Sequence, residues 1–173
     1  MSSKKNKIGI LGGSFDPAHK GHLAISKEAA KRYKLKRIIW AITKKNPLKK
    51  KSKNSINERI KNCKKVIGLN YLIKVKFFEN LIKSNKTIDL INYLNKNTKT
   101  EIYFLMGADN LISFHKWHKW KEISEKCNII VFDRYGYKKK SLDSISFKRL
   151  RGKNLKFVKF NKVNISSSQL RKI

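Results

Sequence analysis

Cysteine, proline and acidic residues are all scarce in this chain, and each shortage closes off a class of protein. Two cysteines, Cys63 and Cys127, cannot frame a disulfide scaffold, and neither stands in a CxxC or Cys/His spacing that holds zinc. Both are expected as buried free thiols. With two prolines and eight glycines there is no low-complexity linker, and no internal repeat is visible. The apolar part of the N-terminal "MSSKKNKIGILGG" is too short for a signal peptide or a membrane span, so a cytoplasmic protein is expected.

The shortage of acid is the most extreme property: 11 Asp and Glu face 43 Lys and Arg, a formal charge of +32. Such a balance raises the local concentration of any anionic ligand, nucleic acid included. The lysines run from Lys4 to Lys172 among abundant Asn and Ile, without the clustered stripe that a nucleic-acid footprint needs. They read as compositional drift on solvated faces. What remains is ample for one folded domain, since 173 residues with 40 % hydrophobic content can bury a real core.

Short apolar runs alternate with helical spacings along the whole chain. "KIGILGG", "RIIWAIT", "YLIKVKFF", "EIYFLMG", "CNIIVF" and "NLKFVKF" read as buried strands. Between them, "HLAISKEAAKRY", "INERIKNCKKVIGL" (through Ile56, Ile60, Cys63 and Ile67) and "TIDLINYLNKN" (Ile88, Ile91, Leu94) carry one apolar face each. Residues 44–55 form a polar loop, and serines ahead of Gln169 suggest a last helix start. This order predicts an α/β fold, a doubly wound parallel sheet of Rossmann-like type in one domain, with ligands at the carboxyl ends of its strands.

The first strand ends in "GGSFDPAHKGH", Gly12 to His22. A glycine-rich strand-to-helix turn offers backbone N–H groups and a positive helix end to an anion, although this one is neither GxGxxG nor a P-loop. His19 and His22, three apart at a helix start, share a face, and Gly21 leaves their approach open. Two imidazoles there suit a phosphate oxygen that gains charge during reaction. HxxH with no third ligand nearby makes a poor metal site. Ser14 and Asp16 are placed to cap the helix or brace the histidines.

"GGSFDPAHKGH" resembles the signature of the HxGH nucleotidyltransferases. "GADNLISFHKWHKW" (Gly107 to Trp120) and "ISSSQLR" (Ile165 to Arg171) narrow the resemblance to the nicotinate-nucleotide adenylyltransferases. The three motifs stand in the family's order and span nearly the whole chain. The resemblance implies transfer of AMP from ATP to nicotinate mononucleotide, giving deamido-NAD and pyrophosphate with Mg2+ present, by direct attack of the acceptor's phosphate. It implies that His19 and His22 contact the ATP phosphates and act in catalysis, and that Gly13, Ser14 and Phe15 border the nucleotide. Gly107 and Asp109 then serve the adenosine ribose, and Ser167, Ser168 and Arg171 the triphosphate. A helix N-cap is the plainer use of Asp109.

On the acceptor side the resemblance implies Thr87 near the nicotinate carboxylate and Trp117 stacked on the pyridine, with Lys45 and Asn46 in the adjoining loop; a helix cap is the plainer use of Thr87 and a core position that of Trp117, while Trp120 reads as core. The chain departs from the family here. Asn46-Pro47-Leu48-Lys49 replaces the common Pro-Pro-His-Lys, Lys86 an aromatic, and Leu90 a second Thr. Nicotinamide mononucleotide or phosphopantetheine as acceptor, and a basic RNA-binding module without enzymatic activity, are the competing readings. The chain has no room for the anticodon-binding domain of a tRNA synthetase.

Overall fold

A computed structural model describes residues 5–46, 48–97 and 99–160. In chain order the elements are β1 (Asn6–Gly13), α1 (Lys20–Tyr33), β2 (Arg37–Ile42), α2 (Ile56–Ile67), β3 (Ile73–Lys76), α3 (Glu79–Ile82), α4 (Thr87–Asn97) and β4 (Thr100–Gly107). They continue with α5 (Ala108–Ser113), a single 3-10 turn at Phe114–Lys116, α6 (Trp120–Lys126), β5 (Asn128–Phe132), α7 (Lys138–Leu142), α8 (Ile145–Leu150) and β6 (Leu155–Val158).

All six strands pair in parallel, in the order β3-β2-β1-β4-β5-β6. Period-2 alternation then splits the strands between two cores, except β3, whose Ile73 and Val75 both face one of them. Ile10, Ile39, Phe104, Met106, Ile129 and Val131 face one layer, with Ile88 and Ile91 of α4, Leu111 of α5, Ile123 of α6 and Leu150 of α8. Leu11, Ile38, Trp40, Leu105 and Ile130 face the other, with Ala29 of α1 and Cys63 and Ile67 of α2. Both faces are therefore covered, as near-continuous apolar strands require. The chain winds outward from β1 in one direction and from β4 in the other, so the crevice of the sheet opens at the carboxyl ends of these two strands.

The doubly wound expectation holds, with local differences. β3 is shorter than "YLIKVKFF" implied, because the chain leaves the sheet before Phe78 to start α3. The helices α3, α5, α6, α7 and α8 are too short, at four to seven residues, for a periodicity to declare them in the sequence. In α1 the deepest polar position is Ser26, whose Oγ donates to the His22 carbonyl at 2.8 Å and accepts from Trp40 Nε1 at 2.8 Å. Cys63 and Cys127 are buried and free, and burial pushes both thiols up to about 12, which leaves them without nucleophilic character at neutral pH. No helix among the described residues is long and apolar enough to cross a membrane. Residues 161–173 lie outside the described residues, and with them Ser167, Ser168, Arg171 and the expected last helix.

Candidate active site

The turn from β1 into α1 is organised by the two histidines themselves. His19 is the N-cap: its Nδ1 accepts from Gly21 N at 3.0 Å, while His22 Nδ1 accepts from His19 N at 3.1 Å. This is a capping box in which imidazoles replace the usual hydroxyl and carboxylate. Ser14 and Asp16 were expected to cap or brace this helix, and the cap is made by the histidines. The helix start is already satisfied, and Asp16 is drawn instead toward α2, its carboxylate accepting from Lys53 N and Asn54 Nδ2, each at 2.6 Å.

The reciprocal cap fixes chemistry as well as geometry. A neutral imidazole that accepts at Nδ1 carries its proton on Nε2, so each ring presents an N–H donor on the side away from the backbone. Burial, and secondarily the nearby Arg134 charge, lowers His19 to about 4. Burial, then the charges of His19, Arg134 and Lys49, hold His22 well below its ordinary value. Both rings are therefore neutral at pH 7. They lie 3.9 Å apart between centroids, and His22 rests 4.8 Å from the buried Phe15 ring, which is itself stacked on Trp40 at 5.0 Å. Phe15 adopts φ 47°, an unusual conformation for an aromatic residue, and its backbone bends the loop while its ring floors His22.

Arg59 joins this loop to the one after β2. Only 3 % exposed, it donates from Nη1 to the carbonyls of Ser14 and Thr43, each at 2.8 Å, and from Nη2 to that of Lys44 at 3.2 Å. Glu79 meets the same strand end from the opposite side, accepting from Thr43 Oγ1 and from Lys44 N. The cation takes the carbonyls and the anion the donors.

Beside these clamps lies a cavity of about 450 Å³, lined by Gly13, Ser14, Thr43, Asn46 and Lys49 on one side and by Lys86, Thr87, Lys116 and Trp117 on the other. Its size suits a mononucleotide. Trp117 stands edge-on to Phe104 and Phe114, at 5.9 and 5.2 Å, so its ring is braced from the core. Thr87, Trp117 and Asn46 thus converge as expected, whereas Lys45 is exposed and does not line the cavity. Its neighbour Lys49 does, and its charge reaches His22.

At the end of β4, Gly107 is the N-cap of α5 and contributes no side chain to the cap. The expected alternative for Asp109, helix capping, does not apply, because its Oδ2 is held by Arg134 Nη1 at 2.6 Å. Its Oδ1 is buried without a hydrogen-bond partner among the described residues, only 2.5 Å from where a Cβ on Gly107 would sit. Glycine at 107 is what lets the carboxylate occupy that place.

Arg59, Glu79 and Arg134 were not found by reading motifs. Arg59 carried a signal, since it falls on the buried stripe of "INERIKNCKKVI" one turn before Cys63. Arg134 follows β5 at the ligand-bearing edge, where any charged residue is a candidate. Glu79 had none.

A strand-to-helix turn capped by two neutral imidazoles, placed at the switch point of a doubly wound sheet beside a nucleotide-sized cavity, is the arrangement of a nucleotidyltransferase of Rossmann-like fold. The chain belongs to the cytidylyltransferase-like family, whose model matches residues 10–173, and within it to the nicotinate-nucleotide adenylyltransferases. A probable nicotinate-nucleotide adenylyltransferase of Pelagibacter ubique (strain HTCC1062) is 65 % identical over 173 residues, all of this chain and 96 % of that one. A protein of the same description from Agrobacterium fabrum is 39 % identical over 131 residues, 75 % of this chain and 70 % of the other. The fold matches that of Plasmodium falciparum nicotinic acid mononucleotide adenylyltransferase complexed with NaAD, with a TM-score of 0.77, 20 % identity, and coverage of 96 % of this chain and 83 % of that one.

Two outcomes are expected. Replacing the guanidinium in Arg59→Met leaves buried carbonyls unpaired and lowers unfolding free energy by about 3 kcal/mol in urea titration, while raising KM for both substrates. Because unfolded His19 binds a proton near 6.5 and folded His19 near 4, the unfolded state takes up more protons in that window. Stability therefore falls as pH is lowered from 6.5 toward 4, seen as a declining Tm whose slope His19→Asn reduces, His22 supplying the remainder.

Proposed function

We propose that this chain transfers AMP from ATP to nicotinate mononucleotide, releasing pyrophosphate and forming deamido-NAD as a cytoplasmic step of NAD biosynthesis. The observation that carries the reading is the reciprocal histidine cap, which leaves two neutral N–H donors in a turn whose Gly13 and Ser14 line a mononucleotide-sized cavity. An oxygen of the acceptor's phosphate attacks the α-phosphorus of ATP. One P–O bond forms as the bond to the leaving pyrophosphate breaks, and no residue of the chain is modified.

Catalysis on this reading is positioning and charge stabilisation. His19 and His22 donate from Nε2 to phosphate oxygens as charge builds on them, and being neutral they change no proton during the step. Gly13, Ser14 and Phe15 line the nucleotide through their backbone. Gly107 leaves room for Asp109 to accept from the ribose hydroxyls, and Ser167, Ser168 and Arg171 complete the triphosphate side. Trp117 supplies the face for the pyridine, and the N-terminus of α4 at Thr87, with Asn46 beside it, receives the acidic end of the acceptor. Mg2+ bound to ATP would offset the charge of its phosphates.

With ATP and Mg2+, pyrophosphate release is expected to be roughly tenfold or more faster with nicotinate mononucleotide than with its amide or with phosphopantetheine. Equal turnover with the amide removes the acceptor assignment, and no turnover with any of them removes the enzyme. In the same assay His22→Ala lowers kcat by about 100-fold or more, the scale of one transition-state donor, whereas a near-normal rate makes the histidines a structural cap only.

A further inference from the structure

Among the described residues that line the cavity, three lysines, Lys49, Lys86 and Lys116, face a single carboxylate, that of Glu79. An acid in this wall opposes both the phosphate and the carboxylate of a nicotinate mononucleotide, so it calls for a neutral partner. The bonds that hold it fall on one oxygen: Glu79 Oε1 accepts from Thr43 Oγ1 and, at 3.2 Å, from Lys44 N. Two donors on Oε1 fix the direction of the carboxylate and leave Oε2 its own capacity to accept. The position of Glu79 along the cavity follows from its neighbours. Thr43 N donates to the Gly13 carbonyl at 2.9 Å, which ties this end of β2 to the turn that leads to His19 and His22. On the other side α3 continues through Ser84 and Lys86, both on the cavity wall, to the start of α4 at Thr87. Glu79 thus links the turn assigned to phosphate with the helix start assigned to the nicotinate acid, and the part of the acceptor that joins those two ends is its ribose, a neutral diol.

We propose that Glu79 is a further acceptor-binding residue, whose Oε2 accepts from a ribose hydroxyl of the mononucleotide. The inference rests on the reading that the acceptor occupies this cavity. A carboxylate accepts and cannot donate, and its bond to a hydroxyl is stronger than one between neutral groups. Set among lysines, Glu79 also selects. A sugar that offers the hydroxyl is held, one that lacks it leaves Oε2 without a partner in the closed complex, and one that carries a further anion at that place is repelled. The cavity then reads the sugar of its ligand as well as the charge.

The test uses the full chain and three probes, nicotinate mononucleotide and its 2′-deoxy and 3′-deoxy forms, titrated calorimetrically at physiological ionic strength, where contacts with exposed lysines are screened. The wild-type protein is expected to bind one of the deoxy forms about tenfold or more weaker than the ribonucleotide, the effect of one charge-assisted bond. Glu79→Gln keeps an oxygen for Thr43 and Lys44 and loses the charge; it is expected to bring that ratio to within about threefold, with KM for ATP unchanged within about twofold. A variant that weakens all three probes equally overturns the proposal and makes Glu79 a holder of the loop only, and one that binds all three more tightly overturns it by showing that the carboxylate merely repels the acceptor. Should the variant fail to fold, the wild-type protein decides: equal affinity for the ribonucleotide and both deoxy forms overturns the proposal without any substitution. A protein that discriminates the sugars through Glu79 but transfers no AMP would sink the enzymatic reading and leave the ribose contact standing, whereas turnover without discrimination does the reverse.

Discussion

A buried guanidinium holds the two halves of this site together. Arg59 rises from α2 into the space between the loop after β1 and the loop after β2, and bonds to a carbonyl of the first and two of the second. A charge this deep is tolerated only where dipoles replace water. The three carbonyls do so, and the carboxylates of Asp16 and Glu79 add favourable charge nearby. The arrangement is self-reinforcing, because Asp16 also fixes residues 53 and 54 ahead of α2 and Glu79 fixes the donors of the loop whose carbonyls Arg59 takes. Loops that carry binding groups are ordinarily the mobile part of such a fold. Here they are tied to one another before any ligand arrives.

The histidine pair follows the same economy. Its Nδ1 atoms satisfy the helix start, which would otherwise need a hydroxyl or carboxylate, and the cap in turn dictates which nitrogen is left to donate. Ser26 and Trp40 continue the chain of support into the core by holding the His22 carbonyl. The site is therefore an extension of the packing beneath it, and its electrostatics come from burial first and neighbouring charge second. Preorganised neutral donors of this kind need no proton transfer to meet a developing phosphate charge.

The large formal charge has its own place in this picture. Acidic groups are few, and several of those present are committed to architecture: Asp16 to α2, Glu79 to Thr43 and Lys44, Asp109 to Arg134. The walls of the cavity carry Lys49, Lys86 and Lys116 against Glu79, so the charge around it is predominantly positive.

The sequence by itself determined the sheet, its winding and the loop that bears His19 and His22, because branched apolar runs, helical spacing and a glycine-rich turn are local signals. It also placed Asn46 and Asp109 at one edge, through the rule that parallel strands gather their ligands at their carboxyl ends, whereas Thr87 and Trp117 were assigned to the site by resemblance to the family. Only the tertiary structure decided what those residues touch. Both Lys45 and Lys49 are exposed, and of the two it is Lys49 that lines the cavity, while Asp109 proved to be an ion-pair partner, not a cap. Asp16 serves a helix some forty residues away, at Asn54. Arg59 and Glu79 stand 16 and 36 residues from Thr43 along the chain and meet at it in space. Local propensity reports how each segment bends, whereas these partnerships depend on which distant groups the close-packed core brings within hydrogen-bond reach.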